Sequence, residues 1–357
     1  MTQLQVYVSG YTGEQSKGIY LYSFDTEKGS LSSKGLVAES DNPSWLHYKN
    51  GHIYATNEVG SFQGQSTGYV SAYRVKEEGQ LELVSQQSTE GEFPCHATSD
   101  ATGRYLLVGN YVGGSVAVLP IESSGLGKIT NLVNHDTLYK PTMGNPDRQE
   151  KSHCHSVDLD PVAECFLFVN DLGCDLLAAH RFQNGTLQPH STFVFPKGTG
   201  PRHLKFAPNH NHFVYVVGEL SNEVFMLEFD FEKGEFLQVQ SIAALPEDFK
   251  GENLGSEIEF SPNGKFLYVS MRGYDALTIF EVNEWTGKLS LVGYQPTGGK
   301  YPRHFTIDPT GQFLLVGNKD SNNIVVFKLN SENGSLEQVS TIEHVEPTCV
   351  RFSPSYT

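Results

Sequence analysis

Gly200-Pro201-Arg202-His203-Leu204-Lys205-Phe206-Ala207-Pro208, followed by Val214-Tyr215-Val216-Val217-Gly218-Glu219, is the stretch that decides the fold. A tight turn leads into a basic pair. A short alternating segment then ends at a proline turn, and a second, apolar segment ends on a polar residue. Short runs rich in β-branched and aromatic residues between turn signals read as two strands of a hairpin. The pattern recurs at Tyr301-Pro302-Arg303-His304 to Val316-Gly317-Asn318 and at Gly255-Ser256-Glu257 to Val269-Ser270-Met271-Arg272. It recurs again at Ser152-His153-Cys154-His155 to Val169-Asn170-Asp171. Weaker copies begin at Phe93-Pro94-Cys95-His96 and Asn42-Pro43-Ser44-Trp45, and a truncated one lies at Pro347-Thr348-Cys349-Val350-Arg351-Phe352.

Each full copy carries two further strands. Ala276-Leu277-Thr278-Ile279-Phe280-Glu281-Val282 is a third strand, and a glycine-containing hairpin such as Gly287-Lys288-Leu289 leads into a fourth. With Pro43, Pro94, Cys154, Pro201, Gly255, Pro302 and Pro347 as markers, successive spacings are 51, 60, 47, 54, 47 and 45 residues. Four-stranded units near this period are the signature of a β-propeller. The N-terminal copy starts at a second strand, Val6-Tyr7-Val8, and the C-terminus supplies a lone first strand. Pairing them closes a ring without an open edge. The expected fold is all-β: a seven-bladed β-propeller of four-stranded blades in a single domain over residues 1–357, its ring closed by the C-terminal strand. Length alone would favour about two domains, but propellers run longer as one unit. Residues 122–151 and 245–252 are the longer inserts.

The net charge of −16 argues against nucleic acid as a partner. An anionic ligand must be drawn by a local cluster of cations. The N-terminus has no basic region followed by an apolar run, and no stretch approaches the ~18 apolar residues of a membrane span. The five cysteines, Cys95, Cys154, Cys165, Cys174 and Cys349, form no C-x-x-C pair. A cytoplasmic protein without a disulfide framework is expected, with no membrane partner. The oligomeric state is open.

In a propeller hairpin, the start of the first strand and the end of the second share one rim of the central channel. His155, Arg202 and Arg303 each lie six residues before their turn proline, Pro161, Pro208 and Pro309. His203 and His304 lie five before, so strand alternation is expected to turn them another way. Asp171, Arg272 and Lys319 each lie ten after their proline, and Glu219 matches them once a one-residue-longer turn is allowed for. A ring of base, cations and carboxylates is thus expected at one mouth. Arginine offers a fork of donors for carboxylate or phosphate and stabilises the oxyanion of an attacked carbonyl. Histidine or glutamate can take the proton from water.

Blander readings stand beside these. Arg202 and Glu219 also read as a buried salt bridge, and His155 as a structural histidine. His96, His203 and His304, recurring at one repeat position, read first as inter-blade hydrogen-bonding residues. Arg303, Lys319, Asp171, His203, His304 and Asn318 are nonetheless carried as candidate substrate contacts. His153-x-His155 lacks a third ligand at zinc spacing, so no metal is expected. Cys95, Cys154 and Cys349 read as small buried apolar residues rather than nucleophiles.

The ordered set Tyr7-Val8-Ser9-Gly10-Tyr11-Thr12, His153-Cys154-His155-Ser156-Val157, Gly200-Pro201-Arg202-His203, Gly218-Glu219-Leu220-Ser221-Asn222 and Tyr301-Pro302-Arg303-His304 resembles the lactonase-type seven-bladed propellers over essentially the whole chain. That family takes in propeller-type 6-phosphogluconolactonases and 3-carboxy-cis,cis-muconate lactonizing enzymes. The resemblance implies a cofactor-free enzyme of carbohydrate metabolism acting on a small anionic lactone or sugar acid. Hydrolysis of 6-phosphogluconolactone in the pentose phosphate pathway is the first expectation. A muconate-type cycloisomerase, a metal-dependent gluconolactonase-like enzyme and a non-catalytic binding propeller are the alternatives. Motif by motif, the family's proposed catalytic His, Arg, Glu and Arg fall on His155, Arg202, Glu219 and Arg272. Cys154 departs from the small residue or proline common before the histidine.

Overall fold

Short apolar strands broken by turn residues can bury themselves only by stacking sheets face to face. In the computed structural model, which describes residues 3–353, they form seven antiparallel sheets. Blade 1 is closed by the chain's two ends: Pro347–Phe352 pairs with Gln3–Gly10, Val6 lying opposite Phe352 and Val8 opposite Val350. Blades 2, 4, 5, 6 and 7 run in simple sequence order, with inner strands Pro43–Lys49, Cys154–Leu159, Pro201–Ala207, Leu254–Phe260 and Pro302–Ile307. Blade 3, starting at Pro94–Ser99, differs at its rim. There Gly125–Leu126 and Asn131–Asn134 share the outer edge that one strand supplies elsewhere. Two single 3-10 turns, Glu77–Gly79 and His135–Thr137, interrupt the strands. Among the described residues no helix is long and apolar enough to cross a membrane.

Second strands are buried on both faces, as in Phe313–Asn318, whereas the outer strand Leu336–Glu343 is mostly exposed. Second strands lie between neighbouring blades and outer strands form the rim, which explains continuous apolar runs in one and polar residues in the other. Between blades 4 and 5, Phe168 meets Phe206, Phe229 and Phe236 edge to face. A repeated tyrosine also staples three of the blades to the next one. Tyr7, Tyr215 and Tyr268 donate to the carbonyls of Gly79, Gly287 and Gly334 at 2.8, 2.6 and 2.9 Å. Gly287 has φ +69°, and a Cβ there would lie 2.7 Å from the Tyr215 hydroxyl, so this hairpin position requires glycine.

One backbone feature shapes the channel. Every inner strand skips register where it enters the sheet: Pro201 pairs with Gly218, but His203 pairs with Val217, leaving Arg202 as a β-bulge. The same skip isolates Ser44, Cys95, His155, Arg303 and Thr348, and in blade 6 Ser256 with Glu257. A bulge breaks the two-residue alternation and re-aims a side chain. Arg202 and His203 therefore do not face different ways as strand alternation predicts; both point into the channel, with Arg202 Nη1 3.2 Å from His203 Nε2.

Candidate active site

The channel is lined in tiers. The bulge residues form the first, at one mouth. The next residues along, including Trp45, His96, His203 and His304, form the second, joined by Glu257 from the two-residue bulge of blade 6. Their rings pack against one another, Trp45 lying 4.1 Å from His96 and 5.4 Å from both His203 and His304, centroid to centroid. This layer divides the channel. Below it, a cavity of about 350 Å³ is lined by His47, Asp158, Lys205 and Arg351 among others. Above it lies a pocket of about 250 Å³ lined by Tyr11, Glu58, Cys95, Tyr111, Arg148, His155, Glu219, Arg272, Tyr301 and Arg303.

Glu219 is the centre of the upper pocket. Its carboxylate is buried and touches three guanidiniums: Arg148 Nη2 at 2.5 Å from Oε1, with Arg202 Nε at 3.0 Å and Arg272 Nη2 at 2.8 Å from Oε2. His155 Nε2 stands 3.8 Å from the same Oε2. Arg272 also donates to the Gly255 carbonyl at 2.7 Å and lies over the Tyr301 ring. Across the pocket Arg303 donates to the Tyr11 hydroxyl at 2.8 Å and lies 3.8 Å from Glu58. Arg202 Nε is close enough to Glu219 for ion pairing but not aligned for a hydrogen bond, so its N–H, like that of Arg272 Nε, is left unsatisfied.

Burial would raise the Glu219 carboxyl, but Arg272, Arg148, His155 and Arg202 reverse this and hold it well below the usual carboxylate range. Glu219 is thus ionised and committed to arginines. His155 is pushed well below the usual imidazole range by burial, then by Arg202 and His203, so it is neutral near pH 7. Burial and the neighbouring Arg272 push Arg202 down to about 10. Burial pushes the Cys95 thiol up, which removes it as a thiolate nucleophile.

Of the residues picked out in the sequence, His155, Arg202, Glu219, Arg272 and Arg303 come together in and beneath this pocket. Asp171 does not. The Asp160–Phe166 turn is one residue longer than its counterpart in blade 7, since Leu159 pairs with Leu167 but Ile307 with Leu314. Leu172 therefore takes the place equivalent to Glu219, and Asp171 turns inward. There it accepts from Ser152 Oγ, from His135 Nδ1 at 2.9 Å and from the backbone N–H groups of His153 and Cys174. Lys319 is not among the residues lining the pocket; it is paired with Asp320 at 2.6 Å and lies over the Tyr301 ring. Asn318 is buried and donates to the Thr297 carbonyl. His203 and His304 belong to the dividing layer: His203 Nδ1 lies 3.1 Å and His304 Nε2 3.5 Å from Glu257 Oε2. His96 and His304 accept from the backbone N–H groups of Val157 and Val350 in the next blades.

Two groups escaped the sequence reading. Tyr11, Glu58 and Tyr111 follow Gly10, Asn57 and Asn110 at second-strand ends, so they are equivalents of Glu219 that a register count over all seven copies finds. Arg148 comes from the 122–151 insert, and nothing local marks it.

His135, Cys154 and Asp171 bring ligand-type atoms within 4.8 Å of one another, away from the pocket. The Asp171 oxygens are already filled by the four donors above, so this cluster is satisfied as a hydrogen-bond network. His153 does not join His155 as a ligand pair; its ring bonds the Tyr111 carbonyl and Glu150. In the pocket, Glu219 and Glu58 are both engaged by arginine, a poor donor set for a divalent cation.

With this geometry in place, the comparisons with known proteins are specific. Residues 5–352 match the family described as "Lactonase, 7-bladed beta-propeller". The 6-phosphogluconolactonase of Bacillus subtilis (strain 168) is 36% identical over 311 residues, 86% of each chain. The structure of a periplasmic gluconolactonase from Pseudomonas aeruginosa superposes with a TM-score of 0.90 at 32% identity, covering 98% of this chain and 99% of that one. A protein from Lactobacillus plantarum gives 0.90 at 29% identity, with 98% and 99% covered. The chain belongs to the lactonase family of seven-bladed β-propellers.

Proposed function

We propose that this protein hydrolyses the ring ester of an anionic sugar lactone at the arginine-lined mouth, converting 6-phosphogluconolactone and water to 6-phosphogluconate. The observation that carries this reading is the charge of the pocket. Three guanidiniums, Arg148, Arg272 and Arg303, line it and a fourth, Arg202, lies beneath against Glu219, with only two carboxylates, Glu219 and Glu58, to face them, in a protein whose net charge is −16. The crowding is visible in Arg202, pushed down to about 10, and in unsatisfied arginine N–H groups. An anionic substrate relieves both.

The chemistry follows from the arrangement. Arg202 and Arg272 stabilise the oxygen of the lactone carbonyl as it gains charge. His155, neutral and at the pocket wall, takes a proton from water as the water oxygen bonds the carbonyl carbon. The ring C–O bond then breaks, and the imidazolium returns its proton to the departing alkoxide. The depressed basicity of His155 rises when the substrate's negative charge offsets Arg202, while Glu219, 3.8 Å away, steadies the imidazolium. Glu219 aligns the guanidiniums instead of acting as the base. No step needs a metal ion.

The test is hydrolysis of freshly generated 6-phosphogluconolactone with excess chelator. The wild type is expected to exceed the spontaneous rate, and Arg202→Ala to lose about 10²-fold in kcat. A wild-type rate no faster than the spontaneous reaction, or an Arg202→Ala enzyme as active as wild type, sinks the assignment.

A further inference from the structure

The four arginines are not equivalent, and their differences assign an orientation to the substrate. Arg202 and Arg272 are each 3% exposed and rise from blade strands deep in the pocket. Arg148 is 33% exposed and comes from the 122–151 insert. The insert is anchored from behind. Gln149 donates to the Leu172 carbonyl at 2.8 Å and to Asp175 at 2.7 Å, and accepts from the Asn145 N–H at 2.8 Å. Asp136 accepts from the Ser152 N–H at 2.8 Å. Arg148 is thus presented over the pocket by a braced loop.

Its bonds leave it available. Both protein partners of Arg148, the Tyr111 hydroxyl at 3.0 Å and Glu219 Oε1, bond the single nitrogen Nη2. A guanidinium carries five N–H donors, so the rest of its fork has no partner among the described residues. That is the geometry for two-point capture of a tetrahedral or planar anion arriving from solvent.

We infer that Arg148 is the specificity-determining residue that reads the substrate's outer anionic group, a phosphate, while Arg202 and Arg272 hold the reacting carbonyl at the pocket floor. The inference rests on the lactone-hydrolase reading above and deepens it. It places phosphate and ring ester at opposite ends of the bound sugar. It also gives the insert a role that the blades themselves do not supply.

The experiment compares wild type, Arg148→Gln and Arg148→Lys on 6-phosphogluconolactone and on unphosphorylated gluconolactone, with thermal unfolding to confirm folding. Arg148→Gln is expected to lose at least about tenfold more kcat/KM on the phosphorylated lactone than on the unphosphorylated one. Arg148→Lys, which keeps charge but not the fork, is expected to fall between. Equal losses on both lactones overturn the inference. A calorimetric arm needs no turnover: 6-phosphogluconate and gluconate are titrated into each protein. A preference for 6-phosphogluconate that shrinks about tenfold or more in Arg148→Gln supports the role of Arg148. An undiminished preference, or no binding by wild type, overturns it. If wild type hydrolyses neither lactone while the binding contrast holds, the hydrolase reading fails and the anion-reading role stands.

Discussion

Glu219→Gln is expected to lose about 10³-fold in kcat/KM and about 3–5 kcal/mol of folding stability. The two losses have one origin. Glu219 is the carboxylate shared by Arg148, Arg202 and Arg272, all within 3.0 Å. Gln keeps the shape but removes the charge. Arg202 and Arg272 are then buried cations without a counterion, which is costly because neither can reach water. Their guanidiniums repel and separate, and the donors lose the alignment that a developing oxyanion needs. The activity loss is read from steady-state kinetics and the stability loss from urea unfolding. A specific corollary is that inorganic phosphate should raise the Tm of Glu219→Gln more than that of wild type, since the anion replaces the missing charge. An active, fully stable Glu219→Gln protein would mean that this carboxylate does not organise the site.

Acid is expected to unfold the protein early, with stability falling steeply from about pH 6.5 towards pH 4. Seven histidines act in the same sense, among them the half-buried His47, which burial holds at about 3. Burial holds His180 at about 3, His304 at about 3 and His344 at about 4, and holds His96, His155 and His203 well below the ordinary imidazole value. Each stays neutral in the folded state but takes a proton near pH 6.5 once unfolded. Its contribution is fully present above that value and is lost as pH falls towards the depressed folded value. One such histidine changes stability by about 1.4 kcal/mol per pH unit in this window, so a slope above one proton's worth is expected. Glu219 and Asp171, both held below the usual carboxylate range, keep their contributions until lower pH, so the histidines set the first acid transition. Urea midpoints measured between pH 8 and pH 4 check this. A midpoint unchanged down to pH 5 would contradict neutral burial of these imidazoles.

The repeat was readable because each blade must restate the same turns and the same apolar strands to pack on its neighbours. Pairing of Pro347–Phe352 with Gln3–Gly10 followed from a missing first strand at one end and a spare one at the other. Counting from the turn prolines put Arg202, Arg303 and His155 at one level because all three are bulge residues, although the bulge itself left no local signal. That bulge turned His203 and His304 into channel residues. The same count misplaced Asp171, where one extra residue in the Asp160–Phe166 turn moved the strand end by one position. Arg148 was beyond reach of any periodicity: it meets Glu219 across 71 residues of sequence, from the part of the insert after Asn131–Asn134 that belongs to no blade. Register within a blade is local and legible, whereas a loop's docking depends on tertiary contacts.

The most direct test of the account is where the product binds. A crystal structure with 6-phosphogluconate is expected to place its carboxylate against Arg202 and Arg272 and beside His155, in the pocket above the Trp45–His203–His304 layer. A product bound below that layer, in the cavity lined by Lys205 and Arg351, would contradict the account and move the chemistry to the other mouth of the channel.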